Sequence, residues 1–240
     1  STRVGERLPT KRAWVPRSTV ESLMRQQSVR QEDRDVLEKV LARYPESLIP
    51  TEAFKAAVEA ELLPLRAYPS AQYARHGIDR IWGAVDPGNA TTVLYATDLG
   101  KYPNVALGDH WGGLHTYGWV REYDSPNTPI LYLTEIQTDM ERYAAADKAW
   151  AKGASVKYWY ERLIRESVKR AANEGKEYVR IPTENTAAAI QGWAEGHDFD
   201  NLKKLYAETI PKFVKKTYGG TYVNDSIGNE WLEFKVPPSA

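Results

Sequence analysis

The stretch Ile130-Leu-Tyr-Leu-Thr-Glu-Ile-Gln-Thr-Asp-Met140 is an apolar run that ends in regularly spaced polar side chains. Its β-branched, aromatic and aliphatic residues are typical of a buried β-strand. Alternate side chains of a strand share a face, so Glu135, Gln137 and Asp139 are predicted to point the same way while Leu131, Leu133 and Ile136 largely serve the core. The stretch therefore predicts a strand with a polar end, although solvated antiparallel strands alternate in the same manner.

The segments before this strand predict an antiparallel meander. Residues 91–96 and 116–123 have strand composition, and Asp124-Ser-Pro-Asn-Thr-Pro129 has the composition of a hairpin turn. This turn would join the second strand to the Ile130 strand.

The segments after it predict helices and further strands. Apolar residues spaced three and four apart from Val156 to Ala171 indicate a long helix, and Tyr178-Val-Arg-Ile-Pro182 indicates a strand. A strand, a helix and a strand in succession usually form a right-handed crossover. The remaining predicted elements are two helices and two closing strands, at residues 186–194, 202–214 (with Pro211 as a kink), 221–223 and 230–236. We predict an α+β fold with a mixed, mostly antiparallel sheet and flanking helices.

An N-terminal helical appendage precedes this sheet. Residues 1–16 lack periodicity and are predicted to be a flexible arm, residues 17–66 a small helical unit, and residues 67–240 the α+β core domain. Ser18 with Glu21 has capping-box spacing, and Thr51 is the predicted N-cap of the third helix. Three helices also invite a helix-turn-helix interpretation, but their mixed charges argue against it.

Composition limits the function classes. The chain has no cysteine, which excludes disulfides, thiolate nucleophiles and zinc knuckles. Its 32 basic and 32 acidic residues give no long-range field toward nucleic acid or anionic lipid. A local basic face remains at Lys203, Lys204, Lys212, Lys215 and Lys216. No apolar run approaches the roughly 20 residues of a membrane span, so a soluble protein is expected.

Glu135 is the strongest catalytic candidate. A carboxylate at the end of a partly buried strand can act as a general base, but Glu135 could instead form an ion pair with Arg121 across the hairpin. Asp139 is a second candidate carboxylate, or a helix cap. Gln137 could orient a substrate or simply satisfy the strand end.

Several loops offer weaker binding candidates. His110 and His115 could join the carboxylates around a metal, but their spacing fits no standard ligand pair, and we predict no metal site. Gly153 and Ser155 precede the long helix and could cradle a phosphate. Asn185 lies at a helix start whose free amides could hold an anion, although Asn185 or Thr183 could merely cap that helix.

The block Glu135-Ile-Gln-Thr-Asp139 resembles a domain of very large polyvalent proteins of tailed bacteriophages, in which the segment usually reads Glu-Ile-Gln-Ser-Asp-Trp. The similarity extends over about residues 28–235 and includes His110-Trp-Gly-Gly-Leu-His115 and the run from Leu205 to Lys216. Thr138 and Met140 depart from the usual serine and tryptophan. The resemblance implies a phage or prophage origin, with phage or host proteins as partners and a location in the host cytoplasm or the virion.

The order of predicted elements is also similar to that of the GNAT acyltransferases. Asn185, Ala188 and Gly196 sit where that superfamily tends to place Asn, Ala and Gly. This likeness implies acyl-CoA as cofactor, held between Met140 and Ser155, with Glu135 as the base and Tyr206 as the acid that protonates the leaving thiolate. The alternatives are a non-enzymatic phage protein, either a virion component or an injected factor, and a DNA-modifying or nucleic-acid-binding protein.

Overall fold

The computed structural model describes residues 13–27, 29, 31–61, 65–71, 74–75, 77–83, 89–97, 116–124, 128–138, 159–192 and 203–237. Contacts among them define two compact units. The first contains the described residues up to 66, together with Thr97, and the second contains residues 67–96, 116–138 and 159–237. The predicted division into arm, helical unit and core domain stays a prediction.

The first unit is a helical cluster with a two-stranded sheet. Its helices are α1 (Arg17–Arg25), α2 (Gln31–Leu41) and α3 (Thr51–Glu61), and strands β1 (Trp14–Pro16) and β2 (Leu48–Pro50) pair antiparallel. Apolar side chains from all five elements form one buried core, which includes Val15, Val20, Leu37, Val40, Ile49 and Phe54. Thus residues 14–16, in the segment predicted as an arm, form a strand.

Two capping predictions in this unit are wrong. Helix α1 begins at Arg17 after Pro16 and has no side-chain cap, because Ser18 already lies inside the helix, and Glu21 accepts from Arg17 Nε at 3.0 Å. Thr51 is fully buried, and its Oγ1 has no hydrogen-bond partner among the described residues. Arg17 also links α1 to the end of α2, since its Nη1 donates to the carbonyl oxygens of Leu41 and Tyr44 at 3.1 and 2.6 Å.

The second unit contains a seven-stranded sheet in the order β3-β4-β5-β6-β7-β9-β8. Neighbouring strands from β4 to β8 pair antiparallel, except for the parallel pair of β6 and β7. The strands are β3 (Leu65–Ser70), β4 (Ala90–Thr97), β5 (Thr116–Asp124), β6 (Ile130–Gln137), β7 (Tyr178–Pro182), β8 (Thr221–Asn224) and β9 (Glu230–Lys235). The predicted α+β class with a mixed, mostly antiparallel sheet and flanking helices is confirmed.

Helices lie along this sheet. They are α4 (Ile78–Trp82), α5 (Trp159–Asn173), α6 (Glu184–Gln191) and α7 (Ile210–Tyr218), the last preceded by a π-helix (Lys204–Thr209). The predicted kink at Pro211 takes the form of this π-helical turn. Proline has no amide hydrogen to donate to the preceding turn, so the helix widens before it continues. None of the described helices is long and apolar enough to cross a membrane.

Different elements cover the two faces of the sheet. On one face, Trp82 of α4 stacks on Trp231 at 5.3 Å between ring centroids and contacts Tyr132 at 4.8 Å, with Ile190 of α6 in the same cluster. On the other, α5 approaches closely at Gly118. A Cβ there would lie 2.7 Å from both Leu163 Cδ1 and the carbonyl oxygen of Gln137, so glycine is required.

Candidate functional site

The strands β6 and β7 part before β6 ends. Their parallel register runs only from Ile130 opposite Tyr178 to Tyr132 opposite Arg180. Beyond that point β7 continues in its pairing with β9, while β6 runs on to Gln137 paired with β5. The final part of β6 therefore has one edge without a strand partner among the described residues.

Tyr206 of the π-helix fills part of this open edge. Its hydroxyl oxygen accepts a hydrogen bond from the backbone amide of Ile136 at 2.9 Å. The tyrosine is 3% exposed. Burial raises the pKa of Tyr206 to about 12, while the Ile136 amide and the cation of Arg121 lower it. The phenol is therefore protonated at neutral pH.

A β-bulge in β6 sets the direction of Glu135. Arg121 pairs with Glu135 and Glu122 with Leu133, so Thr134 is an extra residue with no partner on β5. The Thr134 hydroxyl donates to the carbonyl oxygen of Arg121 at 3.1 Å. A bulge interrupts the strict alternation of faces. The simple alternation predicted from the sequence therefore does not hold through Thr134.

Glu135 forms a buried ion pair with Arg121. Glu135 Oε2 accepts from Arg121 Nη1, and the two side chains are 5% and 10% exposed. Burial lowers the pKa of Arg121 to about 10, and Tyr206 raises it. The ion pair across the hairpin, which was the structural alternative for Glu135, is present in the structure. The carboxylate is thus oriented and neutralised by a neighbouring strand.

The other predicted site residues make no hydrogen bond or ion pair with Glu135 or Tyr206 among the described residues. Gln137 is exposed at the end of β6, and Asn185 is exposed in the first turn of α6. Thr183 occupies the N-cap position of α6, as one of the two predicted alternatives, but its side chain makes no cap hydrogen bond, and its hydroxyl donates to the carbonyl oxygen of Glu230 at 3.1 Å. The candidates Asp139, Gly153, Ser155, His110 and His115 lie outside the described residues. Among the described residues, no group of three or more histidines and carboxylates could hold a metal ion.

The sequence did not single out Glu122, a buried carboxylate on β5 that lies away from the open edge of β6. Glu122 is 3% exposed, and its Oε2 lies 3.3 Å from Arg170 Nη2 on α5. Burial raises the pKa of Glu122 to about 7, against the lowering effects of Arg170 and Ser167. One sequence signal could have found it. The run Tyr117-Gly-Trp-Val-Arg-Glu122 places two adjacent charged residues in the interior of strand β5.

A cavity of about 180 Å³ adjoins Glu122. It lies where β4, β5, β6 and α5 meet, at the opposite end of β6 from Glu135. Polar side chains dominate its lining, which consists of Asn89, Thr91, Glu122, Asp124, Leu131, Arg170 and Glu174.

The predicted basic face is exposed. Its members on the π-helix and α7 include Lys204, Lys212 and Lys216, and Lys215 lies 4.1 Å from the ring centroid of Tyr222. The lysines lie opposite the buried side of α7, which is the usual arrangement of an amphipathic surface helix.

No protein-family model matches the chain, and no curated protein matches it. A solved structure from Desulfovibrio desulfuricans is similar, and that protein is provisionally assigned to the GNAT family of acetyltransferases. The two chains are 13% identical, the alignment covers 88% of this chain and 95% of that one, and the TM-score is 0.32. With values this low, the strand topology and contacts above are the basis of the function proposed below.

Proposed function

We propose that this protein has a GNAT-like core that transfers a small acyl group to an amine at the open edge of β6. The observation that carries the proposal is the parting of β6 from β7 after Tyr132. Such a parting leaves backbone amides that need an oxygen partner, and a ligand can supply one. Ile136 is the amide in question, and in this structure its partner is the hydroxyl of Tyr206.

The residues at this edge fit the acyl end of an acyl-CoA. The Ile136 amide donates a hydrogen bond to a single oxygen atom, which is the Tyr206 hydroxyl in this structure, and exposed Gln137 follows Ile136 directly. Acyl-CoA would supply the activated acyl group as a thioester. Gly153, Ser155 and Asn185 are the other residues that we propose bind the acyl-CoA.

Tyr206 is suited to donate a proton. Its oxygen accepts from Ile136, so that bond does not use the hydroxyl hydrogen. Its raised pKa keeps this hydrogen in place at neutral pH. A proton donor of this kind would neutralise a leaving thiolate. Glu135 is the candidate base, held in orientation by Arg121, and Asp139 is the second carboxylate of the proposal.

Acetyl-CoA binding and turnover test the proposal. We expect acetyl-CoA, but not acetate, to raise the thermal midpoint, because ligands that bind only the folded state stabilise it. Tyr206→Phe should keep the fold and lose turnover by roughly 100-fold or more, the usual contribution of a positioned acid. Tyr95→Phe is the matched control, since Tyr95 is also buried and hydrogen-bonded, and it should keep turnover.

Two results would contradict this proposal. One is the absence of a thermal shift with any CoA ester. The other is equal turnover in wild type and Tyr206→Phe. The double variant Arg121→Gln with Glu135→Gln removes both charges, so a stable but inactive protein would show that the pair is needed for turnover and not only for folding.

A non-enzymatic role is the second candidate, favoured by the engagement of both catalytic candidates in the folded protein. Glu135 is neutralised by Arg121, and Tyr206 is bonded to the strand. The resemblance of the Glu135 block to phage proteins supports a virion component or an injected factor that binds a host protein. Such a protein should copurify with phage particles. Its absence from purified particles and from host-protein complexes would contradict this role.

A further inference from the structure

The polar cavity beside Glu122 has the layout of a small binding site. Asp124 and Glu174 stand where side chains reach solvent, each with 42% of its side chain exposed. Glu122 is buried, with 3% of its side chain exposed. Three carboxylates thus line the cavity from the surface inward.

The charges of the lining do not cancel. Arg170 Nη2 lies 3.3 Å from Glu122 and 3.2 Å from Glu174, so one guanidinium is shared between two carboxylates. Asp124 has its own partner, the ammonium group of Lys176. One negative charge therefore remains uncompensated when all three carboxylates are ionised. An anion would be repelled here, and a cation would be attracted.

One oxygen of the buried carboxylate lacks a partner. Glu122 Oε1 has no hydrogen bond to any of the described residues, and Arg170 Nε is a second buried atom of the lining residues without one. Buried polar atoms are normally hydrogen-bonded, and an oxygen left unpaired beside a cavity indicates a missing donor, either water or a ligand. A donor that also carries a positive charge would pair with the free oxygen of Glu122 and offset the uncompensated negative charge.

We propose that this cavity binds a small primary ammonium ion, with its N–H groups donating to the carboxylates of Glu122 and Glu174. The volume of about 180 Å³ holds roughly six waters at about 30 Å³ each and is smaller than usual drug-sized pockets. The occupant is therefore a short alkylamine or the end of a longer one. Its positive charge would offset the free-energy cost of burying the ionised Glu122 carboxylate. This site is separate from the open edge of β6 and does not depend on the function proposed there.

Titration of the full chain with n-propylammonium, followed by NMR, tests the site. A ligand this small binds weakly, which NMR can detect. Tetramethylammonium carries the same charge without N–H donors, and propanol has the size without the charge. We expect binding of n-propylammonium only. Binding of tetramethylammonium with equal affinity, or no binding of n-propylammonium because water alone fills the cavity, would overturn the proposal.

Three variants locate the binding. Glu122→Gln should weaken it at least about tenfold, the effect of losing a charged hydrogen-bond partner. Glu174→Gln lies where the side chain is half-exposed, so it should fold normally and weaken binding about threefold. Glu166→Gln is the control, because it removes the same charge from α5 outside the lining and should leave the affinity unchanged. Unchanged affinity in Glu174→Gln and in a folded Glu122→Gln would overturn the proposal.

Discussion

Two arginine–glutamate pairs begin at consecutive residues of β5, and they differ in what adjoins them. Arg121 pairs with Glu135 on β6, with Thr134 and Tyr206 packed nearby. Glu122 pairs with Arg170 on α5 and lines a cavity. Both pairs contain atoms without a hydrogen-bond partner among the described residues, Arg121 Nε in the first and both Glu122 Oε1 and Arg170 Nε in the second. An unmet atom alone therefore does not indicate a ligand site, and the adjoining cavity distinguishes the second pair.

The largest predicted difference between the pairs is their response to loss of the arginine. Arg121→Met leaves the Glu135 carboxylate buried without its counterion, and we expect a loss of about 3–5 kcal/mol in the free energy of unfolding. Arg170→Met should cost about 1–2 kcal/mol, because Glu122 can take up a proton and reach water through the cavity. Urea unfolding at pH 7 measures both.

The double variant Arg121→Met with Glu135→Leu provides the control for this comparison. Replacing both charges with apolar groups removes the unpaired carboxylate, so most of the lost stability should return. Equal losses in the free energy of unfolding for Arg121→Met and Arg170→Met would show that neither protonation nor access to water through the cavity lowers the cost of leaving Glu122 unpaired. A double variant as unstable as the single one would show that packing, and not the charge, causes the loss.

Glu135 and Glu122 show how much of the candidate sites could be predicted from the sequence. From β4 onward, the order of strands and helices followed from the spacing of apolar residues and from turn composition, whereas β1, β2, β3 and α4 were not predicted. Pairing across the hairpin gave Arg121 as the alternative partner of Glu135. The bulge at Thr134 could not be predicted, because an extra residue in a strand leaves the composition unchanged. Glu122 was missed because its chemistry comes from α5, and Arg170 reaches it only through tertiary packing. The spacing of apolar residues predicts helices and strands, but a site depends on contacts between elements that are far apart in the sequence.

A second prediction concerns the pH dependence that Glu122 confers. Its pKa rises from an ordinary 4.5 to about 7 in the folded protein, so the folded state binds more protons between these values. The free energy of unfolding should therefore decrease as pH rises through this range, by up to about 3 kcal/mol. Arg170, Glu174, Ser167 and Tyr95 are the groups that face this carboxylate.

Glu122→Gln should remove that slope, since glutamine does not titrate. Urea unfolding of wild type and variant at several pH values between about 4.5 and 7 gives the difference, in which the other titrating groups cancel. Parallel stability curves would contradict the raised pKa. Arg121→Met with Glu135→Leu leaves Glu122 in place, so this double variant is the matched control on the other pair and should keep the slope.

The smallest predicted difference compares one buried tyrosine near each pair. Tyr206→Phe leaves the Ile136 amide without its acceptor, and an unsatisfied buried amide costs about 1–3 kcal/mol. Tyr95→Phe removes a hydroxyl 3.1 Å from that of Ser167, which can turn to Glu122, so its cost should be about 0.5 kcal/mol. Both rings stay in place, so packing is matched, and urea unfolding measures the two costs. If Tyr206→Phe is as mild as Tyr95→Phe, water reaches the Ile136 amide, and the edge of β6 is more accessible to a ligand than the buried tyrosine indicates.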